Sequence, residues 1–580
     1  MSALLYSELL ERISRLRGCL YKKYQSLEGK WCDTNFHLTI ADVPAAAEGL
    51  AANFKMWVPH ARSGFPVFQN RNYRIALGDF LLRRFENLVK KITHPSGSGK
   101  GGRFYSDLCG PEMLERSSVV MDSQGVELRF RYGLPAHGNR VDVDSFLKTL
   151  ELGFSKIVSE ILTWKAHDEQ ELWNHLHHFE DQESLREQMG RAGFVAFVPK
   201  GAILPRAEQG STEPLPNAIP FNYPPHLEMV FTLPNRGIIR GLGIPCGVTV
   251  VTGGGFHGKS TFLHAIEMGI YNHLPKDGRE FVVTDPTAFK INAEEGRFAE
   301  GINLSPYIRN LPLKKSSEFF SSKQCSGSTS QAASVVESLR MGCRCLLFDD
   351  DTSATNFLFC DSQMQALIGE KDCTIFPFLE TACDLFKKRQ VSSILVAGSS
   401  SAYFPVADLV LNLSSYAVED KTEDAKTLTK NREPLEKPFD ANSIQSPRLL
   451  DTGTFRIQKR KKPFKSRVLG NGKVEVGPLF VDFSDNAHLV DISQTRFFHA
   501  LLLHFEEKVF KKRISVEKAV QELFAPLETQ GIDSLCASQG GMSMIRPLDF
   551  AHALNRFRLL KVLPGHSGEL GKHIPLVPLC

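Results

Sequence analysis

The sequence predicts an α/β fold with a largely parallel central sheet, preceded by an α+β region and followed by a small third domain. Three observations carry that reading. From Val248 onward, apolar strand-like runs alternate with helical stretches, the pattern of crossover-connected parallel strands. A glycine-rich turn, Gly253 to Ser260, lies between one such strand and the helix after it. A second apolar strand, Cys345 to Phe348, ends in three consecutive aspartates, Asp349 to Asp351.

With 580 residues the chain has room for three or four domains, each with its own core. Its 42% hydrophobic and 23% charged content is that of a globular protein, and no window approaches the unbroken apolar run of about 20 residues that spans a bilayer. Solute transport would therefore need a separate membrane subunit. The twelve cysteines form no disulfide framework, zinc spacing or CxxC pair, which points to a reducing, intracellular compartment. Between organelle and cytoplasm, the cytoplasm is favoured. The first helix has presequence-like apolar spacing, but Glu8 and Glu11 are acids that mitochondrial presequences avoid.

Residues 1–165 are read as an α+β domain, with a strand at Val126 to Tyr132 and a helix at Ile75 to Ile92. Between these lies His94 to Phe104, whose glycines and serines suggest an unconstrained loop. Cations cluster in this region at Arg71, Arg74, Arg83, Arg84, Lys90, Lys91, Lys100 and Arg103, interleaved with Tyr73, Phe104 and Tyr105. Cations give phosphate contacts and aromatic faces stack on bases, so these residues are the candidate nucleic-acid contacts. The bland alternative is a solvated helix face, because the net charge of +4 announces no polyanionic partner. Residues 166–445 form the α/β domain. A polar stretch from about Glu419 to Arg448 reads as a linker that runs on into a basic segment (446–467), and 468–580 as a small C-terminal domain. Lys459 to Arg467 is a second basic candidate.

Gly253-Gly-Gly-Phe-His-Gly-Lys-Ser260 fits GxxxxGK[ST] in the required strand–turn–helix context. Gly253, Gly254, Gly255, Phe256, His257, Gly258, Lys259, Ser260 and Thr261 are the candidate nucleotide contacts. Curled backbone N–H groups and the helix N-terminus cradle phosphates, Lys259 reaches the β and γ phosphates, and Ser260 ligates Mg²⁺. The expected ligands are thus ATP and Mg²⁺. At the acidic strand end, Asp349 is the expected second Mg²⁺ ligand and Asp350 the base that positions attacking water.

Just before that strand, Cys325-Ser-Gly-Ser-Thr-Ser-Gln331 precedes a helix predicted over Ala332 to Met341. Small polar residues in this place match the phosphate-contacting signature of the ABC class, so Ser326, Gly327, Ser328 and Gln331 are candidate contacts to ATP bound on a second copy. One glycine loop per chain then implies a symmetric homodimer with two ATPs, and Ser353 to Asn356 would cross its interface.

Long strings make the resemblance more specific, among them GLPAHGNRV (Gly133 to Val141), FVPKGAILPR (Phe197 to Arg206), LPNRGIIRGLGIPCGVTVVTGGGFHGKST (Leu233 to Thr261), SPYIRNLP (Ser305 to Pro312) and ALNRFRLLKV (Ala553 to Val562). In these the chain resembles the predicted ABC-class ATPases of bacteria and some eukaryotes, a family with an RNA-associated member in trypanosome mitochondria. The resemblance implies an N-terminal domain, a P-loop ABC-type ATPase core and a small C-terminal domain. It also implies a ring-shaped dimer whose basic opening suits RNA, and the absence of an ordinary Q-loop glutamine or switch histidine. Ser305 to Tyr307 and Gly398 to Ser401 stand in those two places. Two departures matter. Asp350 replaces the usual glutamate and is one methylene shorter, which predicts slow hydrolysis. The stretch Val43 to Asn53 has lost the family's text.

The leading expectation is an ATPase whose nucleotide state opens and closes a grip on RNA or other nucleic acid. Its rivals are an ATP-gated clamp with little hydrolysis and a small-molecule P-loop kinase.

Overall fold

The computed structural model describes residues 4–49, 51–208, 211–312, 316–369, 372–398, 400–430, 438–440, 443–452, 466–509, 512–536 and 539–565. The chain divides into two compact units, Met1–Glu180 with Thr529–Met544, and Asp181–Glu528 with Ile545–Cys580.

The first unit is built on a seven-stranded sheet in which Ala52–Pro59 pairs antiparallel with both His37–Ala41 and Gly125–Tyr132. Ala52–Pro59 alternates buried and half-buried side chains at every step, the period of a strand with one face on a core. Helix α1 (Arg71–Ile92) begins four residues before the predicted start, because Asn70 caps it by accepting from the Asn72 backbone N–H. It buries Leu77, Leu81, Phe85 and Leu88, and Phe85 meets Phe130 of the sheet. The C-terminal segment joins this unit through ion pairing of Asp533 with buried Arg129 and a 2.9 Å bond from Arg116 to Ser543.

The glycine-rich loop at His94 to Phe104 is not the unconstrained segment expected. Ser98 N–H donates to the Ala136 carbonyl, and Gly102 N–H donates to that of Gly133. A Cβ on Gly97, at φ +66°, would sit 1.8 Å from the Ala136 oxygen. Glycine serves close backbone approach here, not flexibility.

In the second unit a six-stranded sheet has the order β6-β7-β8-β4-β9-β10, with β4 (Val248–Thr252), β6 (Phe289–Lys290), β7 (Cys345–Asp349), β8 (Ser392–Val396), β9 (Leu409–Ser414) and β10 (Ala417–Asp420). All pairings are parallel except the terminal β9–β10 hairpin. Its inner strands β7 and β8 are buried at every residue, which suits the apolar stretches Cys345 to Phe348 and Ile394 to Val396. A smaller sheet, β2-β3-β1-β5, is formed by β1 (Phe194–Pro199), β2 (Glu228–Leu233), β3 (Gly237–Pro245) and β5 (Val283–Thr284). After β10 a helix covers Thr422–Thr429, and Arg448–Leu450 pairs with Val562–Pro564. Arg448 is buried and bonds Glu300 and Asn555. The stretch read as a linker is therefore folded at both ends, while its basic run at 459–465 lies outside the described residues.

Helix α2 (Glu169–Arg191) precedes β1 and α3 (Lys259–Met268) follows β4; α4 (Gly327–Arg340) is anchored to the segment after β6 by Arg297, which donates to the Ser330 carbonyl at 3.0 Å and Ser334 at 2.9 Å and pairs with Glu337. Both charged side chains are almost fully buried. Removing one partner strands the other charge in the core, so Arg297→Ala is expected to cost about 3–5 kcal/mol of unfolding free energy. Denaturant unfolding against the parent chain measures this.

Candidate nucleotide site

Register places the site. Asp349 aligns with Val396 across β7–β8, and Val396 aligns with Val251 across β8–β4, so the aspartates and the glycine turn leave the sheet at one carboxyl edge. Ligands of open α/β sheets gather at that edge.

β4 ends at Thr252, and helix α3 (Lys259–Met268) starts directly after the turn, with Gly258 as N-cap at φ +95°. Gly253, at φ +143°, passes so close to β9 that a Cβ would lie 2.3 Å from the Leu413 carbonyl oxygen. Gly254 and Gly255 are exposed, Phe256 is fully exposed at φ +63°, and Ser260 and Thr261 open the helix. The Lys259 ammonium lies across the loop and donates to the carbonyls of Gly253 and Gly254 at 2.8 and 2.9 Å.

The loop is buttressed from the side, which the sequence did not reveal. The β9–β10 turn at Ser415–Tyr416 has both residues at positive φ, 49° and 65°. Ser415 N–H donates to His257 Nδ1 at 2.9 Å, and the Tyr416 ring lies where a Cβ on Gly258 would fall. His257 is thus a structural tie. A Ser-Tyr pair lacks the Asn-Gly signal of such turns, so only its three-dimensional contacts expose it.

Asp349 is buried, with the Ser260 hydroxyl beside it. Burial pushes its carboxyl above the ordinary range, opposed by the Asp351 backbone N–H, the charge of Lys290 and the Ser260 hydroxyl. A carboxylate and a hydroxyl form an all-oxygen donor set that suits Mg²⁺, and a bound cation would offset the cost of burying the charge. Asp350 is held separately: Tyr403 donates its hydroxyl at 3.1 Å to one oxygen, and the Gly398 N–H donates at 3.3 Å to the other. Burial, with Asp350 beside it, pushes the Tyr403 phenol far up, so it remains a donor. Tyr403 and Lys290 carry no motif, and were missed for that reason.

Helix α4 begins five residues before its predicted start. Ser326 caps it, accepting from the Thr329 N–H, and Ser326 is exposed with Gly327 half-buried. Ser328 and Gln331, unlike Ser326, are buried. Gln331 is fully buried, donating to Ser353 at 2.8 Å and accepting from the Ala354 N–H at 2.9 Å, so it ties α4 to the loop after the aspartates. Tyr307, in the Q-loop position, is core and packs on Phe357 and Phe378. Ser399 lies outside the described residues.

Half of the cation cluster is engaged within the first unit. Arg83 pairs with buried Asp79 at 2.7 Å; against the upward push of burial, Arg83 and His175 hold Asp79 down to about 2. Arg71 pairs with Glu115 and Arg84 with Glu171, and Arg74 donates to the Phe68 and Gln69 carbonyls. All four therefore have partners of their own within the unit. Phe104 is core, in contact with Tyr132 and Phe154. Lys90, Lys91 and Arg103 are exposed, Lys100 is half-buried, and the last two stand on the pinned glycine loop.

Three family models match the chain one after another. Residues 6–165 match the family described as "ATPase of the ABC class N-terminal", residues 168–447 the ABC ATPase P-loop domain, and residues 465–563 the "MRB1590 C-terminal domain". Over 187 residues the chain is 29% identical to the uncharacterized protein MJ1628 of Methanocaldococcus jannaschii, which covers 31% of this chain and spans 42% of that relative's length. Among solved structures, cbiO1 of Clostridium perfringens, part of the ABC transporter complex cbiONQ, is 12% identical, with 42% of this chain and 92% of that one covered and a TM-score of 0.22. The dimeric ATP-binding cassette MJ0796, bound to ADP and Pi, is 14% identical over 33% and 94%, with a TM-score of 0.19. No described helix is long and apolar enough to cross a membrane. A glycine loop and strand-end acids on one sheet edge, in the second of three consecutive matched domains, define the chain: it belongs to the ABC-class ATPases, with the N-terminal, P-loop and C-terminal domains of that group.

Proposed function

We propose that the protein hydrolyses ATP between two copies of itself and uses that cycle to grip and release nucleic acid. The observation that carries the reading is the outward-facing N-terminus of α4. Ser326 stands exposed and Gly327 half-buried at a helix start, where N–H groups favour an anion, while buried Gln331 couples that helix to the loop behind Asp349 and Asp350. An arrangement of that kind suits the triphosphate on a partner's loop. It also gives phosphate contact a route to the hydrolytic carboxylates.

Within one site, the loop N–H groups and Lys259 hold the β and γ phosphates, and Asp350 accepts the proton of the attacking water. Ser260 and Asp349 would hold Mg²⁺, which when bound neutralises charge on the phosphates. Tyr403 positions Asp350. Tyr403→Phe should lower kcat about tenfold with ATP Kd unchanged, since the carboxylate loses orientation but the loop is untouched. Steady-state phosphate release with equilibrium ATP binding reads both.

Lys90, Lys91, Lys100 and Arg103 are the remaining candidate contacts for an RNA or DNA backbone. Binding of matched RNA and DNA oligonucleotides across a salt series, with ATP and with ADP, tests the grip. The expected result is a steep salt dependence whose affinity changes with the nucleotide. Indifference to nucleotide at every salt concentration would remove the gating. The low-hydrolysis clamp differs in one respect: Asp350→Glu, which restores the family's longer arm, should raise single-turnover hydrolysis if Asp350 limits the rate.

A further inference from the structure

Away from the glycine loop, the second unit holds a cavity of about 620 Å³ whose lining includes Lys200, Arg236, Arg240, Lys276, Ile238 and Phe281. No residue of the 253–261 loop lines it.

Two of its cations, Arg236 and Lys276, stand on turns that carboxylates hold in shape. At the β2–β3 turn, buried Asp181 accepts from the Asn235 N–H at 2.9 Å, the Asn235 side-chain amide at 3.1 Å and the Arg236 N–H at 2.8 Å. The Arg236 guanidinium then lies 4.9 Å from the centroid of the buried Phe281 ring. In the second turn, Lys276 has φ +68°, and Glu280 accepts from the N–H groups of Lys276 and Gly278. Neighbouring Asp277 is clamped by Arg206 and by His273. The one carboxylate lining the cavity, Glu280, is thus occupied with backbone. Arg240 pairs with Glu228 at 2.8 Å, while Lys200, Arg236 and Lys276 have no carboxylate at ion-pair distance among the described residues.

Three unneutralised cations on preformed turns ask for an anion. Beside them are an Arg–Phe stack and Ile238, which is 65% exposed. That pairing of cation and flat apolar surface fits a phosphate joined to an aromatic base, since guanidinium planes and apolar faces stack on bases while lysines contact phosphate. The volume lies in the range of small-ligand sites.

We propose that this cavity is a second site for a nucleotide unit, distinct from the glycine loop, in which Lys200 and Lys276 bind a phosphate and the Arg236 guanidinium, backed by buried Phe281, receives the base beside Ile238. The unit is either a free mononucleotide or one residue of a single strand. The site has a route to the ATP cycle, because β3 runs into β4 and the loop, and Lys276 follows α3.

The test uses the full chain with its glycine loop filled by a saturating non-hydrolysable ATP analogue and Mg²⁺. Fluorescent AMP and a fluorescent RNA oligonucleotide are titrated separately, on the parent chain and on the Lys200→Ala/Lys276→Ala and Arg236→Ala variants. Saturable AMP binding identifies a free nucleotide as the occupant, and binding of the oligonucleotide alone identifies a strand. In either case each variant should bind about tenfold more weakly, and the double variant's salt slope for the oligonucleotide should fall by about one per lysine removed, with affinity for the analogue unchanged. Three results would overturn the assignment: the parent binds neither probe, the variants bind like the parent, or the variants weaken the analogue to the same degree, which would make the cavity part of the ATP site. An oligonucleotide bound equally by parent and variants removes only this cavity and leaves the gripping function standing.

Discussion

Asp350→Asn is expected to lower the ATP turnover number by about 10²–10⁴ while leaving the affinity for ATP unchanged. The amide keeps the shape of the carboxylate, and one oxygen still accepts from the Tyr403 hydroxyl or the Gly398 N–H. What it loses is the capacity to take a proton from water. The glycine loop and Lys259 are untouched, so binding should persist and the ATP-bound form should accumulate. Phosphate release together with equilibrium ATP binding measures the two effects separately. Turnover within a factor of about three of the parent would place the base elsewhere.

The second large effect is expected from Gly327→Asp. A Cβ at Gly327 meets only ordinary contacts, Ala293 at 3.5 Å and Ala354 at 3.8 Å, so the fold should accept the side chain. The new carboxylate stands at the start of α4, where it repels a partner's triphosphate. ATP should still bind the variant's own loop, but turnover should fall by about 10² or more, the scale seen when one phosphate- or oxyanion-stabilising donor is lost. Lys259→Ala should be inactive for the complementary reason. Mixing the two inactive chains should restore activity: random pairing makes about half of the particles mixed, and each mixed particle pairs one intact loop with one intact α4 N-terminus. Failure to complement would argue that each chain completes its own site.

The parts of the fold legible in the sequence are those fixed by short-range rules. GxxxxGK[ST] between a strand and a helix, and a buried strand ending in acids, each place function at a strand end, and β4, α3 and β7 lie there. The start of α4 was placed too late because its first residues are serines and threonine, which read as loop until Ser326 is seen capping the helix. Motif spacing gives no side-chain direction, and the helix period buries Ser328 and Gln331 while Ser326 stays exposed. The cations are a related case. An arginine's partner is often remote in sequence, as with Arg84 and Glu171, so a basic cluster shows its free charge only after folding. Tyr403, Lys290 and the Ser415–Tyr416 turn approach the site from distant segments and leave no local trace.

The central claim is that two chains enclose two ATP molecules. It is tested most directly by sedimentation of the Asp350→Asn chain with ATP and Mg²⁺ and with ADP, alongside a count of bound nucleotide. The account predicts a particle of twice 64.8 kDa carrying two ATPs, falling to single chains in ADP. A single chain binding one ATP, with the same sedimentation in both nucleotides, would contradict it.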